Sequence, residues 1–386
     1  MKPTPDLTPT PSRVVVAMSG GVDSSVAAAL LVERGYEVIG MMMRLWSEPG
    51  QGSAAPANRC CTPDQMADAR RVADHLGIPF YVIDVQSHFH DTIVQHFIDE
   101  HLAGNTPNPC ILCNRQIRFT HLFQRAMALD ADYLATGHYA RIRPGPEGFR
   151  LIKGVDEHKD QSYVLHVLRQ EQLGRVLFPC GDYTKDEIRE LAAAFGLPVA
   201  RKQESQDLCF LGDGDYRRFL REHAPAVDRP GPILDLSGRE LGNHDGLAFY
   251  TIGQRKGLNL STPEPVFVVR KDGRRNALIV GPRDALGQSR LSAHTVNWVS
   301  GEPPAGPIRA VVKIRYKAPA LPAWVTPLAA GLAQVDFDEP VQAITSGQGS
   351  VFYQGEVCLG GGIIAPVSAT DNESQPALTI SLEVAP

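Results

Sequence analysis

The run Val14-Val15-Val16-Ala17-Met18-Ser19-Gly20-Gly21-Val22-Asp23-Ser24-Ser25 constrains this chain more than any other stretch. Its β-branched start reads as a buried parallel strand. Two adjacent glycines break the strand, and Val26-Ala27-Ala28-Ala29-Leu30-Leu31 continues with strong helix formers. A strand that turns at glycine into a helix N-terminus aims backbone N–H groups and the positive end of the dipole at one point. Ser19, Ser24 and Ser25 add hydroxyls there, so the arrangement is an anion cradle. It lacks the Gly-Lys-Ser/Thr of a Walker A loop and the third, spaced glycine of a dinucleotide fingerprint. The plainer alternative is a tight turn in which Asp23 or Ser24 merely caps the helix.

The strand–helix alternation continues from Val14 to about Asp213. Val38–Met43 reads as a second strand, and residues 64–76 carry helical spacing that ends at Gly77. Residues 80–83 form a third strand, 88–102 a helix, 117–128 a helix, and 133–135 a strand leading into Thr136-Gly137-His138-Tyr139. This order predicts an α/β fold, a doubly wound parallel sheet with ligands at the carboxyl ends of its strands. Ser47 to Asn58, rich in Pro and Gly, reads as a surface loop. After Asp215 the character changes: 216–223 is a short basic helix, and Pro230-Gly231-Pro232 opens a Gly-rich region of strands and turns. From about Leu291 short strands separated by Pro and Gly suggest a small β-barrel. The expected organisation is a disordered tail over 1–12, a domain bearing the anion cradle over 13–215, a central domain over 216–290 and a C-terminal barrel over 291–386.

With 386 residues there is room for two or three such domains, and the net charge of −5 argues against indiscriminate nucleic-acid binding without excluding a basic face. The Pro/Thr-rich N-terminus is no signal peptide, and no apolar run approaches the about 20 residues of a membrane helix. A cytoplasmic protein with no membrane partner is expected. Seven cysteines, an odd number, point to thiol chemistry in a reducing compartment rather than to a disulfide framework.

Cys110-Ile111-Leu112-Cys113 is the second informative stretch, with three readings: a redox pair, half of a zinc site, or two ligands of an iron–sulfur cluster. Zinc wants a second Cys-x-x-Cys, and adjacent Cys60-Cys61 is a poor substitute. A helix beginning at Asn114, with Arg115 and Arg118 in it, favours thiolate at Cys113. Cys209 lies in the polar stretch Lys202 to Gly212 and is a better nucleophile candidate than a core filler. Cys180 and Cys358 suit buried, inert thiols.

Taken together, Ser19 to Ser25, Cys60-Cys61-Thr62, Leu112-Cys113-Asn114, Thr136 to Ala140, Lys159 to Tyr163 and Asp207 to Phe210 resemble the bacterial tRNA-specific 2-thiouridylases, within the PP-loop ATP pyrophosphatases. Tyr250 to Leu258 and Gly355 to Gly362 extend the match, which runs over residues 13 to 365. The resemblance implies a PP-loop domain, a small central domain and a C-terminal β-barrel that clasp a tRNA anticodon arm. It implies ATP and Mg²⁺ as cofactors, with ATP bound by Ala17, Met18, Ser19, Gly20, Gly21, Val22, Asp23, Ser24, Met43 and Gly137. Asn108, Pro109 and Cys110 would touch the target base. His138, Lys159, Asp160, Gln161, Arg315, Tyr316 and Gln348 would contact tRNA. Cys113 would be the nucleophile and Cys209 the persulfide carrier, loaded by a cysteine desulfurase or a sulfur-relay protein. Position 34 and the Lys, Glu and Gln tRNAs also come from the resemblance. Many members carry Asp where this chain has Cys110.

Residue chemistry agrees with that assignment. Uridine O2 is a poor leaving group that adenylation improves, and Mg²⁺ offsets phosphate charge. A persulfide delivers sulfur as a nucleophile, and a second thiol releases it, leaving a disulfide. Cys110, Cys113 and Cys209 are alternatively three ligands of a [4Fe–4S] cluster with one iron open. Three basic features suit a polyanion: a strand over 311–317 with Lys313, Arg315 and Lys317 on one face, a hairpin with Arg270, Lys271, Arg274 and Arg275, and Arg217, Arg218 and Arg221. Two competing classes are a PP-loop enzyme that adenylates a small metabolite and an inert tRNA-binding protein. The absence of a glutaminase signature counts against the first, and the two cysteines count against both.

Overall fold

A computed structural model describes residues 11–48, 62–203 and 208–366. Residues 1–10 of the expected tail over 1–12, most of the loop after Glu48, Cys60, Cys61 and the last twenty residues lie outside the described residues. The strands before residue 180 are β1 (Arg13–Ala17), β2 (Glu37–Arg44), β3 (Phe80–Asp84), β4 (Tyr133–Thr136), β5 (Ala140–Gly145), β6 (Gly148–Lys153) and β7 (Val176–Leu177). Five of them form the expected parallel sheet, in the order β3-β2-β1-β4-β7. Val14, Val15 and Val16 are fully buried at its centre, as a β-branched run in a sheet covered on both faces must be. The chain steps outward from β1 to β3 and then returns on the other side of β1 as β4. This reversal is the switch point at which such sheets take ligands, beyond the carboxyl ends of their strands.

Helix α1 (Val22–Glu33) follows β1, and α2 (Pro63–Leu76) follows β2. The sequence marks both ends of α2: Thr62 and Gln65 form a capping box, and Gly77 closes the helix in the left-handed region at φ +66°. The next helix runs Gln86–Phe89, widens into a π-helical stretch at His90–Val94, and ends as Gln95–Leu102. The helix bearing the Cys-x-x-Cys starts earlier than expected. It begins at Pro109–Cys113, not at Asn114, and continues through a π-helical Asn114–Leu122 to Phe123–Met127. The reason is local: Asn108 Oδ1 accepts the Cys110 N–H at 3.2 Å, and Pro109 occupies the first helical position, where its fixed φ is already helical.

The central part carries the order Phe267–Asp272, Ala277–Gly281, Gly231–Leu234, Glu240–His244 in one sheet. The C-terminal barrel is closed from six strands, Gly287–Trp298, Ile308–Lys313, Leu321–Leu328, Leu332–Gln342, Gly349–Gln354 and Val357–Ile364. Closure comes from pairing of the first with the last, from Ala293 opposite Ile364 to Trp298 opposite Gly360. An unforeseen connection joins the first sheet's chain to this barrel. The β5–β6 hairpin adds to its last strand, with Leu151 opposite Cys358 and Ile152 opposite Val357.

Two of the expected basic features change character. The strand over 311–317 stops at Lys313, so the three-cation face does not form. Arg315 instead turns inward and donates to Ala343 O and, at 2.8 Å, to Thr345 Oγ1, and burial pushes both Lys313 and Arg315 down. Lys317 alone of the three is exposed. The helix Tyr216–His223 forms as expected, capped by Asp215, but its arginines are already paired. Arg218 bonds Glu48 Oε2 at 2.8 Å, Asp213 Oδ2 at 2.7 Å and Glu222 Oε2 at 2.6 Å, while Arg221 bonds Asp228 at 2.9 Å. On the hairpin, Arg270, Arg274 and Arg275 are exposed, whereas Lys271 Nζ is buried and pushed down to about 8 by that burial.

The Arg218 clasp is structural, because the Glu48 side chain is only 3% exposed. Arg218→Ala leaves that carboxylate buried without its guanidinium, and a cost of about 3 kcal/mol is expected. Denaturant unfolding reads it as a lowered midpoint at unchanged slope. An unshifted midpoint would show that solvent replaces the guanidinium at no cost.

Candidate active site

The cradle is built almost entirely of backbone. Met18 N–H donates to Met41 O at 2.8 Å, the last sheet bond before the loop leaves β1. Gly20 takes φ +70°, and Gly21 occupies the N-cap position of α1 without any side-chain cap. The alternative in which Asp23 or Ser24 caps the helix is therefore not what forms. Ser24 Oγ instead accepts the Ser19 N–H at 3.2 Å and donates back to Gly21 O at 3.3 Å, and Ser25 Oγ donates to Gly21 O at 2.8 Å. These bonds tie the loop to the first turn and keep the N-terminal face of α1 in backbone N–H groups.

Two glycines are demanded by close approach. A Cβ on Gly20 would lie 2.2 Å from Gln65 O in the first turn of α2, at a φ that L-residues avoid. A Cβ on Gly137, just past β4, would lie 2.7 Å from both Asp23 C and Ser24 N. Gly137 thus lets the end of β4 seat against the first turn of α1. Met43, near the carboxyl end of β2, is 9% exposed.

Downstream residues complete the wall. Asp23 Oδ1 accepts Lys185 Nζ at 2.6 Å and the Tyr139 hydroxyl at 2.7 Å. Lys202 Nζ donates to Gly20 O at 2.9 Å and to Asp68 Oδ2 at 2.5 Å. Tyr139 N–H is fixed in turn by Gln161 Oε1 at 3.0 Å. The sequence reading assigned no role to Lys185 or Lys202. Thr184-Lys185-Asp186-Glu187 carries a capping-box pattern that announces a helix start, yet nothing in its spacing points to α1.

The second half of the site surrounds the Cys-x-x-Cys helix, where all three parts of the chain meet. Thr106 N–H donates to Ser346 O at 2.9 Å, Gln348 Nε2 donates to Thr106 O at 2.7 Å, and Thr106 Oγ1 lies 3.3 Å from Thr251 Oγ1. Tyr163 OH donates to Gly349 O at 3.0 Å, and its ring stands edge-on to Tyr316 with centroids 6.0 Å apart. The structure thus brings Gln348 close to the helix start that bears Asn108, Pro109 and Cys110, while Tyr316 stands against Tyr163 and Arg315 is bonded to Thr345. Cys110 is exposed, Cys113 is buried and Cys209 is half-buried. Cys113 and Cys209 pack on the same hydrophobic core. The two cysteines read as inert are fully buried, with thiols pushed far up by burial.

Other residues expected at the tRNA lie inside. His138 is buried between Phe119 and Phe178 with Nδ1 2.7 Å from Thr136 Oγ1, and burial pushes it down to about 3. Asp160 is 5% exposed and accepts Gly154 N–H at 3.0 Å, Ser162 N–H at 3.1 Å and Ser162 Oγ at 2.8 Å, so it organises its own loop. Lys159 is half-buried beside it.

For Mg²⁺, the Asp23 carboxylate and the hydroxyls of Ser19 and Ser24 are hard oxygen donors of the right chemistry. For iron, Cys110, Cys113 and Cys209 offer the soft thiols that a cluster takes. Their sulfurs do not converge as a single ion requires. Among the described residues, three ligating side chains come within 4.8 Å only at Glu48, Glu222 and His223, where Arg218 already neutralises the carboxylates.

The chain matches families described as a tRNA methyl transferase HUP domain over residues 12–213, a tRNA methyl transferase PRC-barrel domain over 217–282 and an aminomethyltransferase β-barrel domain over 288–364. Despite those descriptions, its curated relatives are named for thiolation. It is 50% identical over 370 residues to the tRNA-specific 2-thiouridylase MnmA of Roseiflexus castenholzii, covering 92% of this chain and 99% of that protein. Identity to the tRNA-specific 2-thiouridylase MnmA of Moorella thermoacetica is 52% over 360 residues, with the same coverage of 92% and 99%. A solved U34-tRNA thiolase NcsA from Methanococcus maripaludis, with its [4Fe–4S] cluster, superposes with a TM-score of 0.34 at 19% identity over 58% of this chain and 69% of that chain, too remote a likeness to carry residues across. Relatives at half identity over nearly their whole length establish that the chain belongs to the tRNA-specific 2-thiouridylase family.

Proposed function

We propose that this enzyme thiolates position 2 of the wobble uridine, U34, in tRNA, through an adenylated uridine and a cysteine persulfide. The observation that carries the first step is the α1 N-terminus, uncapped by any side chain and closed in by glycines that admit no Cβ. Such a site takes the β,γ-phosphates of ATP on backbone N–H groups. Uridine O2 attacks the α-phosphorus and pyrophosphate leaves. Mg²⁺, when bound with the nucleotide, offsets phosphate charge.

Cys209 carries the sulfur as a persulfide received from a sulfur donor. Cys113 thiolate attacks the Cys209 Sγ and expels hydrosulfide, which displaces AMP at C2 of the base. A Cys113–Cys209 disulfide remains and an external thiol reductant reopens it, so atoms and electrons balance. The chain works as three parts, 13–215, 216–290 and 291–386, that close on an anticodon arm. Asn108, Pro109 and Cys110 touch the target base, and Arg315, Tyr316 and Gln348 contact the tRNA. Asp160, Gln161 and His138 act from within by holding the wall of the site, and Lys159 stands at its edge. The three-thiol set at Cys110, Cys113 and Cys209 also has the chemistry for a [4Fe–4S] cluster, but the persulfide route needs no metal, and full activity in iron-free protein is expected.

Incubation with ATP, Mg²⁺, tRNA and a sulfur donor is expected to release pyrophosphate only when tRNA is present and to yield 2-thiouridine on mass spectrometry of nucleosides. Pyrophosphate released equally without tRNA would instead indicate adenylation of a small metabolite. Activity that rises with iron content and vanishes in Cys110→Ser would replace the persulfide route by the cluster.

A further inference from the structure

The Gly-Gly loop carries no lysine of its own, yet an ammonium stands at its helix. Lys185 begins the helix Lys185–Ala194, where Thr184 is the cap and Asp156 Oδ2 accepts the Lys185 N–H at 3.0 Å. Its side chain is only 10% exposed, a burial that lysine tolerates when paired. Nζ lies 2.6 Å from Asp23 Oδ1 and 5.9 Å from the centre of the Tyr139 ring, and the Tyr139 hydroxyl donates to the same Oδ1. Asp23 is the second residue of α1, inside the cradle itself.

That placement resolves an electrostatic conflict. A carboxylate in the first turn of a helix suits the dipole, but it repels a polyphosphate arriving at the same N-terminus. Lys185 cancels the carboxylate charge at the first turn of α1, so that the helix dipole is left to attract the polyphosphate. Lys202 differs, because its protein acceptors, Gly20 O and Asp68, use it to brace the loop against α2. Cys180 also meets Asp23, donating to its carbonyl at 3.3 Å, and contributes no cation.

We infer that Lys185 is a catalytic residue of the ATP half-reaction: its ammonium is shared between Asp23 and the β,γ-phosphates and carries the charge of the departing pyrophosphate. This inference rests on the adenylation reading above. The bond between the α-phosphorus and its bridging oxygen breaks, the electron pair leaves with pyrophosphate, and Lys185 stabilises that charge without transferring a proton.

The test compares wild type, Lys185→Gln and Lys185→Arg for equilibrium binding of ATP and of AMP and for tRNA-dependent pyrophosphate release. Lys185→Gln is expected to weaken ATP while leaving AMP, which lacks the β,γ-phosphates, unchanged, and to lower turnover on the order of a hundredfold. Lys185→Arg should recover part of both. Equal weakening of ATP and AMP would reduce Lys185 to a structural support, and an unchanged ATP-to-AMP affinity ratio would overturn the inference. Absence of pyrophosphate release by the wild type would sink the adenylation reading instead, and the affinity ratio still decides the role of Lys185.

Discussion

Gly137→Ala is expected to lower tRNA-dependent pyrophosphate release roughly a hundredfold while leaving the protein folded. The added methyl would lie 2.7 Å from Asp23 C, 2.7 Å from Ser24 N and 3.0 Å from Ser24 Cα, all backbone atoms of the first turn of α1. No side chain there can rotate aside, so the end of β4 and the start of α1 must separate. Overpacking of this kind costs about 1–3 kcal/mol of stability, which a domain of this size survives. Function suffers far more, because the displaced turn is the one that would receive phosphate, and a 1 Å misplacement costs roughly a hundredfold in rate. Gly273→Ala is the control, since a Cβ there meets nothing within 4 Å. Near-normal pyrophosphate release by Gly137→Ala would mean that the cradle lies elsewhere.

The second large effect separates the two reactive cysteines. Cys209→Ser should lose the protein-bound persulfide, whereas Cys113→Ser should still accept sulfur and fail to pass it to tRNA. Both should drop 2-thiouridine formation to background, because each step needs a thiolate that serine cannot replace. Cys180→Ser and Cys358→Ser serve as controls and should stay active. Both of those thiols are fully buried, and each sits against a backbone carbonyl, Asp23 O and Gly360 O, that a hydroxyl also satisfies. Mass measurement of the intact protein after incubation with a sulfur donor reads the added sulfur directly. Full thiolation by Cys209→Ser would remove the carrier assignment.

Both predictions begin from features visible in the sequence and depend on geometry that was not. The strand, the glycine turn and α1 are legible because each is a local preference: β-branching, left-handed freedom at Gly20, and a run of alanine and leucine. The same holds for α2, whose two caps lie within a turn of its ends. The helix start at Pro109 is equally local, since Asn108-Pro109 is a cap followed by a first-position proline.

The residues themselves determined the alternation that makes a parallel sheet, the loop that makes an anion cradle, and the cysteines available for sulfur chemistry. Tertiary structure alone decided which distant side chains serve them. Lys185 and Lys202 stand 162 and 182 residues beyond their partners Asp23 and Gly20, and no periodicity spans such distances. Only the order of strands in the sheet, with β4 returned to the side of β1, brings the later chain to the loop. The same holds for charge. A run of arginines reads as a basic surface, yet Arg218 is spent on Glu48, Asp213 and Glu222, and Arg315 on Ala343 and Thr345. A cation is free to meet a polyanion only after buried carboxylates and carbonyls have been satisfied, because leaving those unpaired costs more than a surface contact returns. That order of claims is settled in three dimensions.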